Sequence, residues 1–238
     1  MTARDAQPAQ VVHLQVNGRV CELVADPTRR LADVLRAELP PLFDALKQAA
    51  REVGGVQVQN MGTVVGNLCN ASPAADGIPV LMALDAEVVL RSGEGERRCP
   101  VVDFVRGSRR TACAPHELVV ALEIPARSPR ARSAFVKLGG RRYLTISMTM
   151  VAVALDLAAG GTVSRAGIAV GSCSVVARRL PALERRLVGA PLDARLAERG
   201  EPGDLAPLAP IDDLRASADY RLDATATLLR RALAELAA

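Results

Sequence analysis

No tryptophan occurs in the 238 residues, and the aromatic side chains number five: Phe43, Phe104, Phe135, Tyr143 and Tyr220. The 30 basic residues stand against 26 acidic ones, a net charge of +4. Nucleic-acid surfaces need clustered charge and stacking aromatics, so a nucleic-acid partner is not expected. Lysine is nearly missing too: apart from Lys47 and Lys137, every basic residue is an arginine. With so many alanines this is the mark of a GC-rich coding bias, which accounts for the high pI. The two histidines, His13 and His116, sit in unrelated contexts and make no metal-ligand cluster. Five cysteines (Cys21, Cys69, Cys99, Cys113, Cys173) form no CxxC pair. They fit reduced thiols in a cytosolic protein better than a disulfide frame or zinc site. No apolar run is long enough to span a bilayer, and "MTARDAQPAQ" lacks the apolar core of a signal peptide. The expectation is a soluble, cytoplasmic protein without a membrane partner.

What is present is a core. Half of the residues are hydrophobic, and the length suits one large domain or two small ones. "VVHLQVNGRVCELVA" (11–25) alternates around Asn17-Gly18, the signature of a β-hairpin. "DPTRRLADVLRAEL" predicts a helix over about 28–39, broken by Pro40-Pro41. A second helix, 41–54, ends on Gly54-Gly55. Residues 78–86 read as a short buried helix, and 87–105 as a hairpin with its tip at Ser92–Gly95. "ELVVALEIP" (117–125) reads as a strand. The basic stretch 126–133 is the candidate linker. Beyond it we expect a strand at 134–138, a short helix near 144–150, and a hairpin across Gly160-Gly161. Helices follow at about 179–188, 192–199 and 219–236. In the last, Leu222, Thr225, Leu229, Leu233 and Leu236 share a stripe. Strands that meet through hairpins argue an α+β fold with antiparallel sheets: two units joined near 126–133, the second a three-stranded sheet with helices on one face.

Between the second helix and the buried one lies "QNMGTVVGNLCNASPAAD" (59–76), small and neutral until its final aspartate. Glycines let backbone approach a ligand closely, and successive amides can cradle an anion. Asn67, Asn70 and Ser72 add neutral polar groups. On pattern alone this is either a ligand-binding loop or a glycine-bearing turn in a buried β layer.

The stretch resembles the second flavin-binding segment in the FAD-binding subunit of molybdenum hydroxylases, the xanthine and carbon monoxide dehydrogenase medium-subunit family. The likeness continues through "ALDAEVVLRSGEGERRCPVVDFVRGSRRTACAPHELVVALEIP", "SAFVKLGGRRYLTIS" and "PIDDLRASADYRLDATATLLRRAL", covering about Phe43 to Ala238. It implies the second half of an FAD-binding domain at 41–128, of antiparallel sheet plus helices. A CO dehydrogenase flavoprotein C-terminal domain follows at 132–238. By position it places Thr63, Val64, Val65, Gly66 and Asn67 where the family's loop wraps the FAD. Asp76 falls at the family's cofactor-contacting carboxylate, Val53 and Val119 at the flavin site's lining, and Lys137 at a lysine near the flavin. A compact ammonium and a forked guanidinium are not equivalent, so a lysine there is notable in so arginine-rich a chain.

Two features depart from the family. The loop has Val65 where a second glycine is usual, and nothing before residue 59 resembles the family's first glycine-rich pyrophosphate loop. Residues 1–40 instead resemble the first hairpin and helix of the partner [2Fe-2S] ferredoxin-like subunit, truncated before its cysteine-rich loop. No iron–sulfur cluster is expected in this chain. The resemblance implies an FAD-dependent electron-transfer subunit working with a [2Fe-2S] subunit and a molybdopterin-binding subunit, with no catalytic or metal-ligating residue of its own. The alternative is a remnant that no longer holds FAD and acts as an assembly or interface piece. Either way, apolar surface at Leu42, Leu46 and Val53 is expected to be bare, and the isolated chain not to be a monomer.

Overall fold

Alternating side chains on either side of a two-residue connection dictate the first element. In the computed structural model, which describes residues 10–16, 19–25, 39–141 and 144–238, β1 (Gln10–Val16) pairs antiparallel with β2 (Arg19–Ala25). Val16 pairs with Arg19, the last pair of the ladder; the turn expected at Asn17-Gly18 lies outside the described residues. The helix expected over 28–39 lies outside the described residues but for its last position. By contacts the chain divides into Met1–Pro40 and Pro41–Ala238; the rest concerns the second unit.

Its centre is the sheet β11-β10-β9-β8, antiparallel throughout: β8 (Arg132–Gly139), β9 (Ser147–Leu157), β10 (Val163–Gly171) and the two-residue β11 (Arg178–Arg179). The short fourth strand carries no sequence signal. β9 and β10 meet through a tight turn in which Gly161 adopts φ +77°, a left-handed conformation that suits glycine. β9 begins at Ser147, so the helix expected near 144–150 does not form. Met150 and Val151 open a run through Leu155 that is fully buried on both faces.

Both faces are covered, not one. The core joins Val151, Val153 and Leu155 of β9 to Leu180, Leu183 and Leu187 at helix 181–187 and to the stripe of the last helix, Ala218–Ala237. Thr225, Leu229, Leu233 and Leu236 of that stripe are buried as expected. The same sheet also receives two helices from the first half of the chain: α1 (Asp44–Glu52) packs on β8, and Gly77–Ala83 packs on β10 and β9. Hydrogen bonds fasten α1: Ser133 Oγ accepts from the amide of Ala45 at 2.9 Å and donates to the carbonyl of Leu42 at 2.6 Å. The amide of Phe135 donates to Gln48 Oε1 at 2.7 Å. A methyl group on Gly167 of β10 would overlap the carbonyl oxygen of Ala83; only glycine permits that close approach.

A second antiparallel sheet, β4-β3-β7, holds β3 (Glu87–Ser92), β4 (Gly95–Pro100) and β7 (Leu118–Glu123), with Ser92 paired to Gly95 at the expected tip; the short β5 (Val105–Gly107) and β6 (Arg110–Thr111) pair with each other before β7. Residues 126–133 are not a free linker. The Arg127 side chain is 0% exposed and bonded through Nε to both oxygens of Asp156 at 2.9 Å, with Nη1 3.2 Å from Asp85. Asp85 also receives Arg165 and Arg179. This network ties the connecting segment, the end of helix 77–83 and the large sheet together.

Candidate functional site

The segment expected to be a cofactor loop is largely helical. Residues Val56–Met61 form one short helix and Val64–Asn70 another, with only Gly62 and Thr63 between them. Thr63 is the N-cap: its hydroxyl accepts from the amide of Gly66 at 2.9 Å. A Cβ at Gly66 would sit 2.9 Å from that hydroxyl oxygen, so the glycine keeps the cap intact. Val65 occupies the first turn and is half-buried; it faces the demands of a helix, not of a glycine-rich loop. The first amides of this helix, at Val64 and Val65, have no acceptor within it.

Asn67 points the other way along the chain. Its Oδ1 accepts from the amide of Gly77 at 3.1 Å, joining the two ends of the 67–77 segment. The intervening turn is pinned again where Arg109 donates from Nη1 to Asn70 Oδ1 at 2.7 Å and from its amide to the carbonyl of Ala71 at 2.9 Å. Ala71 itself sits at φ +46°.

Asp76 and Lys137 meet. Lys137 Nζ lies 3.0 Å from Asp76 Oδ2, and Ser147 Oγ donates to Oδ1 at 3.2 Å. Nζ also donates to the carbonyl of Glu52 at 3.3 Å, next to Val53 at the end of α1. The pair is buried, with the lysine and aspartate side chains 5% and 8% exposed. Burial pushes the Asp76 carboxyl above its ordinary range, against the opposing pull of Lys137 and Ser147. Val119 lies on β7, the strand that helix 64–70 touches. Val53, Thr63–Asn67, Asp76 and Lys137 thus form one connected region, with the strand of Val119 at its side.

Three participants were not foreseen: Ser147, the carbonyl of Glu52, and Arg109. Ser147 closes the segment "SAFVKLGGRRYLTIS", but no local pattern says that it faces Asp76. A cavity of about 440 Å³ opens next to this cluster, sharing Ser147 and lined by Ser72, Ser108, Ser172 and Ser174. Arg221 and Asp213 also line it, bonded to each other at 2.7 Å. The amides of Arg215 and Ala216, with Arg221, hold Asp213 at a pKa of about 2, so it stays charged. Among the described residues, Ser172 Oγ and Arg221 Nε have no partner. Such a recess can receive a polar ligand. No group of three or more His, Cys, Asp or Glu among the described residues is placed to hold a metal ion, and no described helix is long and apolar enough to cross a membrane.

The apolar surface expected around α1 is elsewhere. Leu42 is buried and Leu46 and Val53 are half-buried, whereas Val56 is 69% and Met61 84% exposed. Val58 and Val64 are exposed beside them, and so is Leu144, whose side chain lies against Gly55.

Comparison with known proteins places these observations. Residues 21–127 match the FAD binding domain in molybdopterin dehydrogenase, and residues 134–236 the CO dehydrogenase flavoprotein C-terminal domain. The first match begins inside β2, and the ferredoxin likeness of the N-terminal hairpin finds no match of its own. The chain is 35% identical to the nicotinate dehydrogenase FAD-subunit of Eubacterium barkeri over 161 residues, 66% of this chain and 54% of that one. It is 30% identical to the carbon monoxide dehydrogenase medium chain of Afipia carboxidovorans over 204 residues, 85% of this chain and 68% of that one. It therefore spans about half the length of the first relative and two thirds of the second. Among solved structures, reconstituted CO dehydrogenase from Oligotropha carboxidovorans superposes with a TM-score of 0.76 at 28% identity, covering 86% of this chain and 70% of that one. On its two matched domains, its relatives and its fold, the chain belongs to the FAD-binding medium chains of the molybdopterin dehydrogenases, the oxidoreductase subunits of carbon monoxide and xanthine dehydrogenase type.

Proposed function

We propose that this chain holds FAD and carries electrons from the iron–sulfur centre of a partner subunit to an external acceptor, while substrate is hydroxylated on a molybdopterin-binding partner. One observation supports the reading: the residues that the family resemblance assigns to the flavin site lie close together, around the Thr63-capped helix and the buried Asp76–Lys137 pair. FAD, when bound, supplies the redox chemistry. The chain's part is to bind and orient it. The first-turn amides of Val64 and Val65, which have no acceptor within the helix, suit the approach of an acceptor-rich ligand, and Gly62 and Gly66 keep the surface there small. The Asp76–Lys137–Ser147 cluster fixes the floor, and Val53 and Val119 flank it. The cavity that shares Ser147 gives an external acceptor a way in.

A second reading rests on the same cluster. Both oxygens of Asp76 are already satisfied by Lys137 and Ser147, so the fold stands without a ligand, as a remnant serving only as an interface would. Absorbance and fluorescence titration of the purified chain with FAD separates the two. Saturable quenching of flavin fluorescence, lost on Gly66→Ala, supports the flavin reading. No quenching at any FAD concentration selects the remnant.

A further inference from the structure

Residues 194–205 run along the last helix, Ala218–Ala237, without closing fully against it. A cavity of about 360 Å³ remains, within the size range of small-ligand sites. The helix supplies an apolar wall of Leu222, Leu229 and Leu233. The charged lining is acidic in balance: Glu201, Asp204 and Asp223 against Arg230. Asp204 is 2% exposed. Its Oδ2 accepts from Arg186 Nη1 at 2.6 Å and from the amide of Glu201 at 2.7 Å. Its Oδ1 is buried and has no partner among the described residues. Arg186 does not supply one, because its fork is shared with Glu201 and the carbonyl of Arg199. A buried carboxylate oxygen without a donor is costly, and a folded protein keeps one where something else completes it.

We propose that this cavity binds a small organic cation: a primary ammonium or guanidinium on a short hydrocarbon body. The head donates to Asp204 Oδ1, the carbon body lies along the leucines, and the three carboxylates repel an anion of the same shape. None of the flavin-cluster residues lines this cavity, so the inference stands apart from the proposed function.

The test is isothermal titration of the full chain with n-hexylammonium and, in parallel, hexanoate. Saturable heat with the ammonium and none with the carboxylate is expected. Asp204→Asn should weaken binding about tenfold, the loss of one charge-assisted hydrogen bond. Ala226→Leu, which fills the cavity from the helix side and leaves the Asp204 and Arg186 side chains in place, should abolish binding with the thermal melt little changed; if Asp204→Asn does not fold, this variant decides alone. The proposal is overturned by absence of saturable heat in the wild type, by equal binding of hexanoate, or by undiminished binding in Ala226→Leu.

Discussion

Lys137 illustrates what one atom can do that a guanidinium cannot. A single Nζ reaches both the Asp76 carboxylate and the Glu52 carbonyl where the Lys137 and Asp76 side chains are almost fully buried; a planar fork would need room for two more nitrogens. Lys137→Met leaves a buried carboxylate unpaired and should cost about 3–5 kcal/mol in urea unfolding. Asp76→Asn in the same background should recover much of that. If it recovers nothing, the charge pair is not what the site depends on. The titration of single residues also sets the acid response. Asp76, its pKa raised by burial above 3.8, favours the fold at low pH, and that contribution is lost as pH rises through its folded value. Glu117 is the opposite case: the Arg97 side chain and the amide of Ala114 hold it at about 2 against an ordinary 4.5. Asp213 likewise falls from 3.8 to about 2. Their contributions are present above the ordinary values and vanish as pH falls towards 2. Glu123, bonded to Arg98, is lowered as well; three lowered groups outweigh one raised, so the urea midpoint should drop between about pH 4.5 and 2. Asp213→Asn should flatten the lower part of that curve.

At the scale of elements, the helix Val64–Asn70 depends on its cap. Thr63→Ala should cost about 1 kcal/mol of stability, and Gly66→Ala should act through the same hydroxyl by crowding it. Val65→Gly should cost roughly 0.5–1 kcal/mol, since glycine weakens a helix; a raised melting temperature would contradict the helical assignment. This helix is also where sequence reading failed. It is seven residues long, with Gly66 inside it, Gly62 just before it and asparagines among its valines and leucine, and so short a mixed stretch reads as loop until a cap and a tertiary neighbour decide otherwise. Hairpin turns at Ser92–Gly95 and Gly160-Gly161 were legible because turn geometry is local. The unbroken apolar run of β9 fits burial on both faces, but helices were expected on one face only, because which helices would cover it was not local information. The same holds for Ser147: the resemblance brought Asp76 and Lys137 to the same site, but the third partner comes from the neighbouring strand. Where helix 77–83 presses on β10, Gly167→Ala should destabilise by roughly 1–3 kcal/mol and shift the thermal midpoint accordingly.

For the molecule as a whole, exposed Val56, Val58, Met61 and Val64 form an apolar area bordered by Leu144. Patches of this kind favour association, so light scattering of the isolated chain in moderate salt should show species larger than one 25.1 kDa chain. Met61→Glu together with Val56→Asp should shift the distribution to monomer. A monodisperse wild type would mean that this area is covered within the chain itself. The two matched domain segments are not separable bodies, since Arg127 is locked into Asp85 and Asp156 between them. Arg127→Ala should lower the melting temperature of the entire 41–238 unit in one transition, not release one half from the other.

The placement of helix Gly77–Ala83 on β10 and β9 has a consequence in time. Its side chains from Ile78 to Ala83 are all buried, but β10 ends only at Gly171. On a ribosome adding about 5–20 residues per second, the helix emerges several seconds before the strands it will rest on. During that interval a greasy segment waits without its seat. The nascent chain is most vulnerable to misassociation at this stage, and slower translation across residues 84–171 would lengthen the exposure.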